Sequence, residues 1–296
     1  MTLQRITVLG SGTMGAGIAQ TAIQSGFDTV LFDITDAITA TSAAGIKGRM
    51  ARLVEKGKLD ATAMEAALAR LSVSSDLEAA VRNADYIIEA IPEKLALKQE
   101  TFERCEAAAP AHCVFGTNTS TIMISSIAEA LKDRGRLIGI HFFNPVPVMR
   151  LIEVVMGPES SEVAHSATLE VARRMGKETV RVKESPGFTT SRINALIGNE
   201  AFRMLEEGVA SASDIDKALK LGLNHPMGPF EMVDLVGLDA RLNNVRSLFE
   251  ALKLESYRPP QLLERLVAEG RLGRKSGRGV YRYDPKGTLI PGSDEV

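Results

Sequence analysis

Ile6-Thr7-Val8-Leu9-Gly10-Ser11-Gly12-Thr13-Met14-Gly15, followed as far as Asp33, is the stretch that decides the fold. A short apolar run leads straight into three spaced glycines, and a helical pattern then continues through Ile18, Ala19, Ala22 and Ile23. After the turn at Gly26-Phe27-Asp28, a second apolar run, Thr29-Val30-Leu31-Phe32, ends in Asp33. Strand, glycine turn, helix, strand and acid in this order form the dinucleotide-binding fingerprint in the context it requires. Gly10 allows the tight turn, Gly12 keeps side-chain atoms away from a pyrophosphate, and Gly15 lets helix and strand pack closely. Thr13 and Met14 open a helix whose unpaired N–H groups and dipole favour the phosphates. Asp33 lies 23 residues past Gly10, where a carboxylate accepts from the adenosine ribose and repels a 2′-phosphate, so NAD is favoured over NADP. A glycine loop alone would fit an ordinary βα turn in another α/β protein; the flanking strands, helix and acid favour the cofactor.

Outward from this unit, the pattern keeps alternating. Residues 36–70 carry two helical patterns and residues 76–81 a short helix; Asp85–Ile91 reads as a buried strand stopped by Pro92. A helix through Lys98, Phe102 and Cys105, a strand at 113–116, a helix near 124–131 and a strand at 136–141 follow. Leu151–Met156 and Thr179–Val182 read as two more strands around a helix near 162–176. This alternation predicts an α/β protein with a Rossmann-type, doubly wound parallel sheet and right-handed crossovers. At Ser185-Pro186-Gly187 the strand signals nearly vanish, and Ile193, Leu196, Ile197, Ala201, Met204 and Leu205 take up a helical period. A smaller all-helical domain over 186–296 is therefore expected after a nucleotide-binding domain over 1–185. In it, Ser211–Asp214 reads as a capping box and Pro229 as a helix's first turn.

Composition narrows the classes. The 296 residues are 45% hydrophobic and 24% charged with a net charge of -2, which gives no support to nucleic-acid binding or a polybasic membrane surface. Cys105 and Cys113 form no metal-ligand spacing and fit a reducing cytoplasm. No apolar run approaches the ~18 residues of a membrane span.

Ligands of open α/β sheets bind beyond the carboxyl ends of the strands. Glu93, Asn118-Thr119-Ser120 and His141 follow three successive strands there. His141 is the candidate acid–base, since an alcohol giving up hydride must also lose a proton near neutral pH. On position alone it could equally be a histidine satisfied by backbone. Glu153 tips the balance: a carboxylate inside Leu151–Met156 is costly unless paired, and an imidazolium is its natural partner. An edge strand with Glu153 in water is the alternative. Ser120 could meet a substrate oxygen, cap the helix expected near residue 121, or do both. The basic segment Lys47, Arg49, Arg52, Lys56 and Lys58 suits a phosphorylated or CoA-like ligand but also an ordinary solvated face. Arg271, Arg274, Lys275, Arg278, His112 and His165 read as surface.

Taken in order, Gly10–Gln20, Asn118-Thr119-Ser120, His141-Phe142-Phe143-Asn144-Pro145-Val146-Pro147, Ser185-Pro186-Gly187-Phe188 and His225-Pro226-Met227-Gly228-Pro229-Phe230-Glu231 resemble the short-chain L-3-hydroxyacyl-CoA dehydrogenases over essentially the whole chain. The resemblance implies an NAD-dependent, reversible oxidation of an (S)-3-hydroxyacyl-CoA, with 3-hydroxybutyryl-CoA the expected substrate. It also implies a helical domain that serves the substrate cleft and a homodimer contact. His141 would be the general acid–base, Glu153 its orienting partner, and Ser120 the residue at the substrate's C3 oxygen. Asp33, Ala90, Ile91, Glu93, Lys98, Asn118, Ser120 and Asn144 fall at cofactor positions, and Asn144, Lys56 and Arg49 at substrate positions. Ser191 stands where animal members carry a catalytic asparagine, Arg49 where a CoA-contacting serine is common, and Met123 where a leucine is. Two other readings stay open at this point: a dehydrogenase of the same fold acting on a free hydroxy acid or alcohol, and a non-catalytic NAD-binding protein.

Overall fold

The computed structural model describes residues 3–294, which divide into two compact units, one ending at Phe188 and the other beginning at Thr189. In the first, the order is β1 (Arg5–Leu9), α1 (Thr13–Gln24), β2 (Asp28–Phe32), α2 (Asp36–Glu55), α3 (Ala61–Leu68), β3 (Leu71–Ser74) and α4 (Leu77–Val81). It continues with β4 (Tyr86–Glu89), α5 (Leu95–Ala108), β5 (Val114–Thr117), α6 (Ile124–Ala128), β6 (Leu137–Phe142), β7 (Leu151–Met156), α7 (Glu162–Arg174) and β8 (Glu178–Lys183). The strands lie side by side as β3-β2-β1-β4-β5-β6-β7-β8.

The central strands β4, β5 and β6 are buried at every residue, as unbroken apolar runs must be when helices cover both faces of a parallel sheet. All pairings from β3 to β6 are parallel. β7 then runs antiparallel to β6, and β8 parallel to β7. Chain order reverses between β1 and β4, which makes their carboxyl ends the switch point where ligands of such sheets sit. The sequence reading passes over β3: Leu71-Ser72-Val73-Ser74 is a short edge strand without an apolar run, and Val73 remains 44% exposed.

The surface reading of His165 is corrected by packing. α7 turns Ala164, His165, Ala167, Thr168 and Val171 toward the sheet, so the imidazole is buried, with Nδ1 3.3 Å from Glu162.

The second unit consists of α8 (Thr190–Glu206), α9 (Ala212–Gly222), α10 (Pro229–Val236), α11 (Leu238–Leu252) and α12 (Gln261–Ala268), followed by an extended tail. Its core is built on Phe202, Phe230, Val245, Leu248 and Leu263, with the two phenylalanine rings edge to face at 5.2 Å. Ser211 caps α9 by accepting from the Asp214 amide at 3.1 Å. Two buried aspartates tie the tail down. Asp216 accepts from the Phe230 and Glu231 amides and the Tyr281 hydroxyl, and Asp234 from the Val280 and Tyr281 amides and the Tyr283 hydroxyl. Arg271, read from sequence as solvated, is buried here too: its Nε donates to the Gly279 carbonyl at 2.9 Å, which satisfies a tail that lacks a sheet partner. Among the described residues, no helix is long and apolar enough to cross a membrane.

Asp234→Ala strands three donors in the interior, and at about 1–3 kcal/mol for each unsatisfied group the second unit should lose several kcal/mol of stability. Denaturant titration followed by far-ultraviolet circular dichroism checks this; a midpoint unchanged from wild type would refute the role given to the carboxylate.

Candidate active site

Each glycine of the turn has a measurable reason to be there. Gly10 has φ +91°, and a Cβ on it would lie 2.6 Å from the carbonyl oxygen of Ala90, just past the end of β4. A Cβ on Gly15 would come within 1.7 Å of the Gly10 carbonyl, so helix and turn could not close. Gly12 is different, because nothing lies within 4 Å of where its Cβ would be. It stands as N-cap of α1 with no side-chain cap, and the helix has no acid in its first turn. The turn is thus shaped for an anion with its own oxygens: open space, bare N–H groups at Thr13 and Met14, and the positive end of a helix. These residues fit the pyrophosphate of NAD. Asp33 lies at the end of β2, where its Oδ2 accepts from the Ser11 amide at 2.7 Å and hydroxyl at 2.8 Å, tying the second strand to the turn.

Beyond β4 lies a cluster that the sequence reading only half found. Glu89 is fully buried and receives the Lys98 ammonium at 2.6 Å, the Thr117 hydroxyl at 2.6 Å and the Ile91 amide at 2.8 Å. Burial pushes the Glu89 carboxyl up, against the pull of Lys98 and the other donors. The same ammonium lies 3.1 Å from Glu93 Oε2. Glu93 Oε1 in turn gathers the Thr119 hydroxyl at 2.5 Å, the Ser120 amide at 3.0 Å, and the amide and hydroxyl of Thr121. Desolvation raises the Glu93 carboxyl, but Lys98 and these hydrogen bonds outweigh it and hold it below the usual carboxylate range. Lys98 itself is almost wholly buried between the two acids. Ser120 is not a helix cap, because α6 begins only at Ile124; the Thr119 hydroxyl accepts from the Ile122 amide instead, at 2.9 Å.

On β6, His141 pairs in register with Glu153 of β7, and its Nδ1 lies 2.8 Å from Glu153 Oε2. Glu153 is fully buried and His141 is 8% exposed. β7 is an interior strand between β6 and β8, which excludes an edge-strand carboxylate in water. Asn118 Oδ1 accepts from the Phe142 amide at 2.8 Å, so the end of β5 and the end of β6 are joined beside the imidazole. Asn144 follows directly, exposed, before a cis bond to Pro145.

The remaining candidates come from α2 and α8. Lys56 is exposed at the C-terminus of α2. Arg49 on the same helix donates from Nε to Gln20 of α1 at 2.9 Å. Ser191 is in the first turn of α8, in the second unit. Glu89 and Thr117 were missed, although Glu89 carried the signal that found Glu153: a lone carboxylate in an apolar strand.

Fold and glycine turn together define an oxidoreductase that uses a nicotinamide dinucleotide. Residues 5–185 match the 3-hydroxyacyl-CoA dehydrogenase NAD-binding domain, and residues 187–283 the C-terminal domain of the same family. The chain belongs to the 3-hydroxyacyl-CoA dehydrogenase family, and its cofactor is NAD. It is 41% identical to a probable 3-hydroxybutyryl-CoA dehydrogenase of Bacillus subtilis over 97% of this chain and 99% of that one. It is 40% identical to the human mitochondrial hydroxyacyl-coenzyme A dehydrogenase, covering 95% and 91% respectively. The crystal structure of (S)-3-hydroxybutyryl-CoA dehydrogenase from Ralstonia eutropha superposes with a TM-score of 0.92 at 38% identity, covering 96% of this chain and all of that one.

Gly15→Ala should abolish NADH binding, measured by fluorescence titration, since the methyl group meets a backbone oxygen rather than a yielding side chain. Lys98→Met leaves Glu89 buried without its counter-charge, which costs about 3–5 kcal/mol at neutral pH. With its folded-state pKa raised, Glu89 contributes stability at low pH that is lost as pH rises. The Lys98→Met variant should therefore gain stability on acidification from pH 7 toward 5; a melting temperature flat or falling over that range would contradict the assignment.

Proposed function

We propose that the protein oxidises an (S)-3-hydroxyacyl-CoA, with 3-hydroxybutyryl-CoA as the substrate class, to the 3-oxoacyl-CoA, and runs the reaction in both directions. The observation that carries this reading is the buried 2.8 Å contact between His141 and Glu153 at the carboxyl end of a NAD-binding sheet. The acyl-CoA comes from the activities of its relatives.

Glycines 10, 12 and 15, the amides of Thr13 and Met14, Asp33, and the backbone at Ala90 and Ile91 would hold NAD, with Glu93, Lys98, Asn118, Ser120 and Asn144 beside them. The chemistry bound NAD supplies is acceptance of hydride from the carbinol carbon. His141 removes the hydroxyl proton. Its Nδ1–H donates to Glu153, which fixes the tautomer with Nε2 free of a proton and aimed to take one, and stabilises the imidazolium that results. In reduction the same nitrogen gives the proton back. Ser120 donates to the C3 oxygen as the carbonyl forms, and the Glu93 cluster fixes the loop that carries it. Lys56 and Arg49 meet the CoA phosphates. Ser191 takes the place of an asparagine with a shorter reach.

The assembly we infer is a homodimer through the second unit, where Leu221 is 79% exposed, Leu223 66% and Val209 62%. Their exposure supports the reading without needing any other surface.

With acetoacetyl-CoA, the protein should consume NADH, followed at 340 nm, while free acetoacetate should be turned over at least about a hundredfold more slowly. Equal rates on the two would sink the CoA ester as substrate. His141→Gln should lower kcat by about 10²–10⁴-fold and leave NADH affinity intact, as expected for loss of a positioned acid–base.

A further inference from the structure

The imidazole of His141 is held at one end by Glu153, yet a single hydrogen bond leaves a ring free to rock about it. Two aromatic rings lie against it. Phe143 lies with its centroid 4.7 Å from the imidazole at 55°, and Phe188 at 5.7 Å and 63°, edge-on. Phe143 is the second residue after His141 in the chain, just past the end of β6, so its proximity follows from local chain geometry. Phe188 does not: it is 47 residues further on, past two strands and a helix. Its ring is buried, 4% exposed, in the core cluster that also holds Leu9, Phe115 and Ile124.

Backbone conformation singles Phe188 out. It has φ +50°, one of three non-glycine residues in the left-handed region among the described residues, and it follows Gly187 at φ +75°. An aromatic side chain is among the least suited to that region, where glycine and asparagine are the usual occupants. The chain therefore holds a costly conformation at a residue whose ring reaches His141 from far along the sequence. Strain of this kind persists only where the surroundings over-determine it, and it gathers at functional sites.

We propose that Phe188 is a positioning residue for the reaction: its buried ring, together with that of Phe143, fixes the plane of the His141 imidazole, and the left-handed backbone at 187–188 exists to deliver that ring. The aromatic edge blocks rotation about the Nδ1–Glu153 axis and keeps water off the bond. Nε2 then keeps one direction, which taking the proton from a bound alcohol requires. The inference rests on His141 as acid–base, as argued above.

Glycine at 188 separates ring from backbone. Phe188→Gly relieves the strained φ but deletes the ring, whereas Phe188→Leu keeps bulk and strain without the flat edge. Phe188→Tyr retains both. With acetoacetyl-CoA and NADH, Phe188→Gly and Phe188→Leu should each lower kcat by about ten- to a hundredfold, the scale of a misplaced catalytic group, with KM for NADH unchanged. Phe188→Tyr should restore most of it. An active Phe188→Gly, within about twofold of wild type, would show that only the chain path matters and would overturn the proposal, since such small changes lie below any positioning effect.

A readout independent of turnover keeps this separate from the identity of the substrate. The chain has four histidines, so proton resonances of their imidazoles are few, and His141→Gln assigns the one of interest. In wild type, the His141 ring protons should be displaced by the ring current of Phe188 and the displacement should collapse in Phe188→Leu, even if no acyl-CoA is turned over. An unchanged His141 resonance in that variant refutes the contact. Where a substitution at 188 unfolds the protein, Phe143→Leu tests the same ring plane through the other aromatic contact, and wild-type kcat in that folded variant would count against the proposal.

Discussion

A carboxylate can stand in the interior of the sheet at Glu153 because His141 stands across from it. Bringing an isolated charge into such surroundings costs far more than a small domain has to spare, so the pair must form together or not at all. What brings them together is an antiparallel register, His141 against Glu153, between β6 and β7. Had β7 continued the parallel winding of the first six strands, its amino end would lie at the opposite edge of the sheet, and Glu153, third in the strand, would have pointed its charge away from the imidazole. The reversal in direction after β6 is what returns the chain through residues 143–150 into a strand whose third residue is the acid.

The same principle operates at the neighbouring strand end, with three ionisable groups instead of two. Glu89, Lys98 and Glu93 share one ammonium between two carboxylates, and hydroxyl and amide donors from Thr117, Thr119, Ser120 and Thr121 take up the remaining oxygens. A buried ion cluster of this kind is weak evidence for stability, since well-packed apolar groups can do as well. Its consequence here is geometric. It converts the loop after β5 from a flexible connection into a rigid shelf, with Ser120 at its rim. Lys98, which the family resemblance places at the cofactor, is from its surroundings first of all the cation that makes Glu89 and Glu93 tolerable.

The turn at Gly10–Gly15 shows the complementary strategy, recognition by removal of atoms. Side chains are absent where backbone oxygens crowd at Gly10 and Gly15, and absent without crowding at Gly12, where the space belongs to a ligand. In the second unit, two buried aspartates accept from a tail that has no sheet to join, so a segment of irregular backbone is held as firmly as a strand.

Much of this was legible in one dimension because the relevant signals are local. The glycine spacing, the period change at Ser185 and the lone carboxylate in Leu151–Met156 each report on a few neighbouring residues. So the dinucleotide fingerprint, the two-part organisation and the suspicion that His141 and Glu153 are partners could all be read from letters alone. Tertiary structure decided what depends on residues far apart: that β7 runs backward, that Leu71–Ser74 is an edge strand, that His165 and Arg271 are buried, and that Glu89 anchors Lys98. Burial and pairing are properties of where the chain returns to itself. A sequence names the charges, and only the folded path says which of them have met.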